Sequence, residues 1–176
     1  PLEALLRAIA LAQIEIHQAE QAVGLGIARV GRQGRPEFVE RLVAGAKGLR
    51  VGNGLDPKTQ MGPCINAGQL ETVERYVKVG RDEGAKLLCG GHRLTAGEHA
   101  RGHFHEPTIF GDCQPEMRVA REEIFGPVVS VIPVRSLEHA IEVGFSFNDT
   151  ATAEIYTQDI NKAFTAMREM YTGLFY

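Results

Sequence analysis

Apolar positions in this chain follow two rhythms, a helical period near 3.6 and short unbroken runs. In the glycine-free stretch from Leu2 to Ala22, Leu2, Leu5, Leu6, Ile9 and Gln13 share one helical face, and the alanines between them favour helix. Gly24 to Pro36 is rich in glycine and arginine and reads as irregular. A second helix is predicted from Phe38, Leu42, Val43 and Leu49, introduced by Pro36 and ended near Gly48. Gly52 to Pro63 holds three glycines and two prolines and reads as a loop. A third helix starts at about Asn66, a good N-cap, and runs through Leu70, Val73 and Val77 towards Gly84. Lys86 to Cys89 is a short strand closed by Gly90-Gly91, with a loop over 91–102.

Beyond that loop the pattern becomes regular. The run Val128 to Val134 is too uniformly apolar for a half-exposed sheet and predicts a parallel strand covered on both faces. Ser136, with Glu138 close behind, caps a helix. A strand over Ala153–Thr157, a helix capped by Asp159 through Met170, and a strand from Gly173 to Tyr176 follow. Strand, helix, strand, helix, strand with short joints makes consecutive right-handed βαβ units. The predicted fold class is therefore α/β, a parallel sheet flanked by helices.

The segment before the long strand, Arg121-Glu122-Glu123-Ile124-Phe125-Gly126-Pro127, places carboxylates and a ring on a turn. From spacing alone these are a surface glutamate pair and a core phenylalanine. The alternative is a ligand contact, in which Glu123 accepts hydrogen bonds from a ribose diol and Phe125 packs on a flat heterocycle.

Composition narrows the classes. With 176 residues and 44% hydrophobic content, the chain can bury one core. A net charge of −3 with interspersed signs argues against nucleic acid or anionic membrane as partner. No apolar stretch approaches a membrane span, and no signal peptide is evident at Pro1-Leu-Glu-Ala-Leu-Leu-Arg. Cys64, Cys89 and Cys113 lack metal-type spacing, so reduced thiols in a cytoplasmic setting are expected.

Among these cysteines Cys64 is the most reactive candidate, because a helix start would lower its pKa; all three also suit plain space-filling. His103 and His105 are two apart on an expected strand and face one way, near His99, Glu98 and Glu106. The same run suits an exposed strand entry, and we expect no metal site. Gly24-x-Gly26 and Gly31 follow no strand, so they make no dinucleotide fingerprint. The arginines from Arg29 to Arg35 read as solvated.

Arg121-Glu-Glu-Ile-Phe-Gly-Pro-Val128 resembles the glutamate–phenylalanine signature of the NAD(P)-dependent aldehyde dehydrogenase superfamily. Other segments resemble that family in its order: Phe38-Val-Glu-Arg-Leu42, Leu49 to Pro57, Gln60-Met-Gly-Pro63, Glu83 to Gly91, Glu106-Pro-Thr-Ile-Phe110, Ile155 to Asp159 and Thr172 to Tyr176. The resemblance covers residues 37–176 and implies a partial catalytic domain, with 1–36 an unmatched helical and Gly/Arg-rich segment. Within the superfamily it is most similar to the semialdehyde-oxidising branch that includes 2-oxoglutarate semialdehyde dehydrogenases.

The resemblance implies NAD or NADP as cofactor, a small aldehyde as substrate and a homo-oligomer. It assigns Glu123 to the nicotinamide ribose and Phe125 to the nicotinamide ring, with no metal. It also implies a cysteine nucleophile, which maps near His17 to Ala22 in a Gly-Gln-x-Cys-type loop. This chain has no cysteine there, and the general base and glycine-rich dinucleotide site belong to sequence upstream of Pro1. A second departure lies at Phe145-Ser-Phe147, inserted before Asn148-Asp-Thr150, with a compensating deletion before Ile155. We therefore expect a fragment of an enzyme that oxidises an aldehyde to a carboxylate, inactive as this chain alone. The alternative is a non-catalytic structural or oligomerisation module on the same fold.

Overall fold

Helix α1, Arg35–Gly48, carries Glu37 in its first turn and Lys47 in its last, each matched to the helix dipole. Phe38, Leu42 and Ala46 recur every four residues and are buried. The structure, a computed structural model, describes residues 35–146, 152–170 and 172–175. The helix expected over Leu2–Ala22 and most of the irregular stretch after it lie outside those residues.

Helix α2, Ala67–Asp82, begins where the Asn66 side chain accepts a 2.8 Å hydrogen bond from Gln69 N. It ends in a Schellman arrangement: Ala85 N donates to Gly80 O (2.9 Å) and Gly84 N to Arg81 O (3.1 Å). Gly84 sits at φ +87°, where a side chain would be strained. Leu70, Val73, Tyr76, Val77 and Gly80 form the buried stripe.

The two helices cover opposite faces of one small sheet of order β1–β4–β5, comprising β1 (Lys86–Cys89), β4 (Thr108–Gly111) and β5 (Val128–Ser130). Side-chain alternation sorts the faces. Cys89, Ile109, Val129 and Val131 meet Phe38, Leu42 and Ala46 of α1. Phe110, Ile132 and Val134 meet Val73, Tyr76 and Val77 of α2. Both faces are covered, which is why the sheet-forming segments read as unbroken apolar runs.

Strands β4 and β5 are parallel, with Ile109 opposite Val129. Strand β1 pairs antiparallel to β4, with Leu87 opposite Phe110 and an irregularity before Cys89. The α/β layering is as expected, and the sheet is mixed because β1 and β4 are joined by a short hairpin rather than a crossover helix. That hairpin is β2 (Arg93–Leu94) and β3 (Phe104–His105), paired antiparallel around a 3-10 turn at Gly97–Arg101; β2 and the turn lie inside the stretch expected to be loop, and β3 where His103 and His105 were expected on a strand.

A one-turn helix α3, Arg118–Arg121, leads into β5. The predicted strand over Val128–Val134 is paired as a strand only to Ser130. Two further backbone hydrogen bonds, Val131 N to Phe110 O (2.8 Å) and Cys113 N to Val131 O (3.1 Å), extend it before Pro133, which has no N–H to give.

Helix α4, Leu137–Phe145, is capped by Ser136, and α5, Ile160–Glu169, by Asp159, as their sequences indicate. Leu137, Ile141 and Ala166 pack together between them. Strands β6 (Thr152–Ala153) and β7 (Leu174–Phe175) pair in parallel around α5, a βαβ unit with its own two-stranded sheet. The strand expected over Ala153–Thr157 stops at Ala153, and Glu154–Thr157 are irregular.

Candidate functional site

The turn from α3 to β5 is held by a charged lock at its start. Arg118 grips the Glu122 carboxylate with two bonds, Nε to Oε1 at 2.7 Å and Nη2 to Oε2 at 3.0 Å. The Tyr76 hydroxyl donates to the same Oε2. Arg118 followed by Tyr76 holds the Glu122 carboxyl down at about 2. Arg75 and Arg118 also lie over the Tyr76 ring, at 5.5 and 5.9 Å. From the other side, the Glu83 carboxylate accepts from Arg118 N (3.1 Å) and Val119 N (3.4 Å), tying α3 to the end of α2.

Glu123, one residue further on, is exposed. Phe125 is 65% exposed, although it precedes a buried strand, and its backbone sits at φ +50°. Gln69 Nε2 donates to the carbonyls of both Ile124 (2.6 Å) and Phe125 (3.1 Å). Gly126 packs so closely on α2 that a Cβ there would fall 2.3 Å from Val73 Cγ2. Pro127 O then accepts from Thr108 N (2.8 Å), which brings the turn to the beginning of β4.

These contacts wall a cleft of about 540 Å³, lined by Gly62, Pro63, Cys64, Ile65, Gln69, His105, Phe125, Gly126 and Pro127. Phe125 borders it, whereas Glu123 stands on the same turn outside the lining. The cleft lies at the amino ends of the parallel strands β4 and β5, not at the carboxyl ends where α/β sheets ordinarily hold ligands.

Cys64 lines this cleft, but its expected activation is not found. Helix α2 starts at Ala67 behind its Asn66 cap, so Cys64 is off the helix end; burial pushes its thiol up. Burial likewise raises Cys89 and Cys113.

The histidines are dispersed. His99 Nε2 lies 3.0 Å from Val51 O, and its ring meets Phe104 edge-on at 4.9 Å. His105 Nδ1 is 2.8 Å from Glu106 O. Among the described residues no three metal-ligating side chains converge.

His105 is 2% exposed, and its Nε2 is buried without a hydrogen-bond partner. A carbonyl can only accept, so Nδ1 carries the proton and Nε2 a bare lone pair. Burial lowers the ring's pKa against weaker upward pulls from the Glu106 carbonyl and nearby glutamates. The folded state thus resists a proton that the unfolded chain takes up below about pH 6.5. Stability from this residue is complete above that range and is lost as pH falls through it. The urea midpoint should drop between about pH 8 and pH 5.5, and drop less in His105→Leu. Equal drops in both proteins would show that His105 is not the group responsible.

Gln69, Glu83 and Tyr76 were not singled out by the sequence reading, and Glu122 was read only as half of a surface pair. The one available signal was Gln69 itself, a polar residue three after an N-cap and beside a buried stripe.

A mixed sheet between two amphipathic helices, with an aromatic turn at positive φ beside an apolar cleft, defines a piece of an α/β domain. The chain belongs to the aldehyde dehydrogenase family, which it matches over residues 6–176. That match begins upstream of Glu37, where the motif-by-motif resemblance begins. Similar solved structures include HpcC from Thermus thermophilus, at 34% identity and TM-score 0.82 over 86% of this chain and 30% of that one. Betaine aldehyde dehydrogenase from Staphylococcus aureus, solved in complex with NAD+, is 30% identical with TM-score 0.82, over 85% of this chain and 30% of that one. Aldehyde dehydrogenase from Bacillus cereus, as its E194S mutant, is 32% identical with TM-score 0.80, over 86% and 30%. The chain therefore spans about 30% of the length of these structures.

Proposed function

We propose that residues 37–176 are part of the catalytic domain of an NAD(P)-dependent aldehyde dehydrogenase that oxidises a semialdehyde to its carboxylate. In that enzyme Glu123 accepts hydrogen bonds from the ribose hydroxyls of the nicotinamide half, and Phe125 packs against the nicotinamide ring. The observation that carries this reading is the exposed Phe125 ring, held at φ +50° on the rim of an apolar cleft. A free-standing hydrophobic ring and an exposed carboxylate two residues apart suit a nucleoside, which offers a flat face and a diol. The dinucleotide supplies the hydride acceptor; the residues of this chain hold one end of it.

The chain alone is inactive on this reading, because none of its three cysteines lies near His17 to Ala22, where the family's nucleophile maps. The lack of a cysteine there also favours a second reading, a non-catalytic structural or oligomerisation module on the same fold. The encoding reading frame around Pro1 and beyond Tyr176 separates the two: an upstream Gly-Gln-x-Cys loop supports the enzyme, and a genuine start and stop at these ends would support the module. We further propose a cytoplasmic homo-oligomer, in keeping with three free cysteines. Among the described residues no helix is long and apolar enough to cross a membrane.

In the complete enzyme, Glu123→Gln weakens one charge-assisted pair of hydrogen bonds to the ribose. The KM for cofactor should rise about tenfold, the worth of one to two kcal/mol, with hydride transfer slowed. Unchanged cofactor affinity and turnover would remove the role assigned to Glu123.

A further inference from the structure

Phe125 is one of two described non-glycine residues at positive φ, and nothing in its own sequence favours that conformation. Its Cβ crowds the neighbouring carbonyl there, so the surroundings must impose it. Two contacts do so from α2. Gly126 rests against Val73, which fixes how closely the turn approaches the helix. One turn earlier on the same helix, Gln69 Nε2 reaches the Ile124 and Phe125 carbonyls at 2.6 and 3.1 Å. A primary amide nitrogen carries two hydrogens, so one group can serve both oxygens. With both carbonyls held by α2, the Phe125 ring stays largely exposed on the rim of the cleft. The anchor is itself rigid, because Gln69 N donates to the Asn66 cap at 2.8 Å in the first turn of α2.

We propose that Gln69 is a positioning residue: its amide holds the Phe125 backbone in the left-handed conformation and thereby presents the ring at the cleft. The consequence for cofactor binding rests on the reading of Phe125 given above; the conformational consequence does not. Gln69 is the residue most open to a clean test, because its isosteric partner removes the donors without changing shape. In Gln69→Glu, an ionised carboxylate would offer only acceptor oxygens to two carbonyl oxygens. Those carbonyls and partial burial would raise the pKa of the new acid, and its protonated form would regain one O–H donor.

The experiment compares wild type, Gln69→Glu and Gln69→Leu. On this chain, NMR reads the strong intraresidue NOE from amide to Cα proton that marks positive φ at Phe125. Unshifted Val77 and Phe110 resonances report an intact core. In the complete enzyme, the KM for cofactor is measured against pH. In Gln69→Glu we expect the Phe125 marker to weaken at neutral pH and to return on acidification. The KM for cofactor rises about tenfold at neutral pH, the loss of two ordinary hydrogen bonds, and is partly restored in acid. Gln69→Leu should lose the marker at every pH, with no acid rescue. Retention of positive φ at Phe125 in both variants overturns the proposal, as does marker loss in Gln69→Glu that acid fails to reverse while the core stays intact. If the marker is lost and rescued while the cofactor KM stays constant, the positioning role stands and the cofactor role of Phe125 falls instead.

Discussion

Assayed with NAD, with NADP and with a panel of short semialdehydes, this chain by itself is expected to produce no reduced cofactor. Cysteine-dependent aldehyde oxidation begins with a thiolate adding to the carbonyl carbon, and the nucleophile is the ionised sulfur. The chain has three cysteines, and the first of them is Cys64, so none lies in the upstream segment where the family places its nucleophile. An ordinary thiol with a pKa near 8.5 is only a few per cent ionised at pH 7, and burial raises Cys64, Cys89 and Cys113 beyond that. Cys64 stands nearest to chemistry because it lines the cleft with Phe125. Desolvation nevertheless outweighs the hydrogen bond that favours its thiolate. One turn can also hold only one end of a dinucleotide, so cofactor affinity falls with the missing contacts. The control is Cys64→Ala assayed beside the wild type. Reduced cofactor that forms reproducibly and vanishes in the control would overturn the expectation and make Cys64 the nucleophile.

Phe110→Ala should be among the most destabilising single changes, at about 3–5 kcal/mol. The ring is fully buried and stands at the centre of the larger core cluster with Val73, Tyr76, Val77 and Ile132. Helix α2 closes directly onto it: a Cβ at Gly80 would lie 2.9 Å from Phe110 Cζ. Backbone pairing on both sides, with Leu87 and with Ser130, fixes the strand, so the cavity cannot readily collapse. A domain of this size has roughly 5–15 kcal/mol in hand, so the loss is a large fraction of the whole. Chemical denaturation should show a much lower midpoint at an unchanged slope, and Phe110→Leu a smaller loss. The site should follow the core, because α2 carries Gln69 and β4 carries the Thr108 N–H that donates to Pro127 O. A loss below about 1 kcal/mol would mean that the cluster repacks around the gap.

Much of the helical architecture was legible in the chain. Helices α1, α2, α4 and α5 appear within a residue or two of their predicted starts, because their signals act over three or four residues. Asn66 serves Gln69 N, Ser136 serves His139 N, and Asp159 serves Asn161 N and Lys162 N. Strands were less legible. Val131 to Val134 and Ile155 to Thr157 have strand-like residues, but pairing requires a neighbour with a free edge, and Pro133 interrupts the first of these runs. Strand β2 left no clear pattern, since a two-residue strand is set by what it pairs with, whereas a strand was expected around His103 to His105, where β3 forms. Phe104 and His105 are buried beneath neighbouring segments rather than displayed on an exposed strand entry.

By itself the sequence determined the α/β class, the starts of helices α1, α2, α4 and α5, the aldehyde dehydrogenase family and the lack of a cysteine near His17 to Ala22. All of these depend on residue identity and order, or on contacts within one helical turn. The tertiary structure decided which glutamate is anchored, which way Phe125 faces and whether Cys64 is activated. Glu122 is anchored by Tyr76 from 46 positions away, and Phe125 is clamped by Gln69 from 56 positions away. Two adjacent glutamates are equivalent until one of them meets an arginine and a phenol. A cysteine near a helix start favours its thiolate only if the helix end and water both reach it, and at Cys64 the Asn66 cap keeps the helix end away while partial burial limits water.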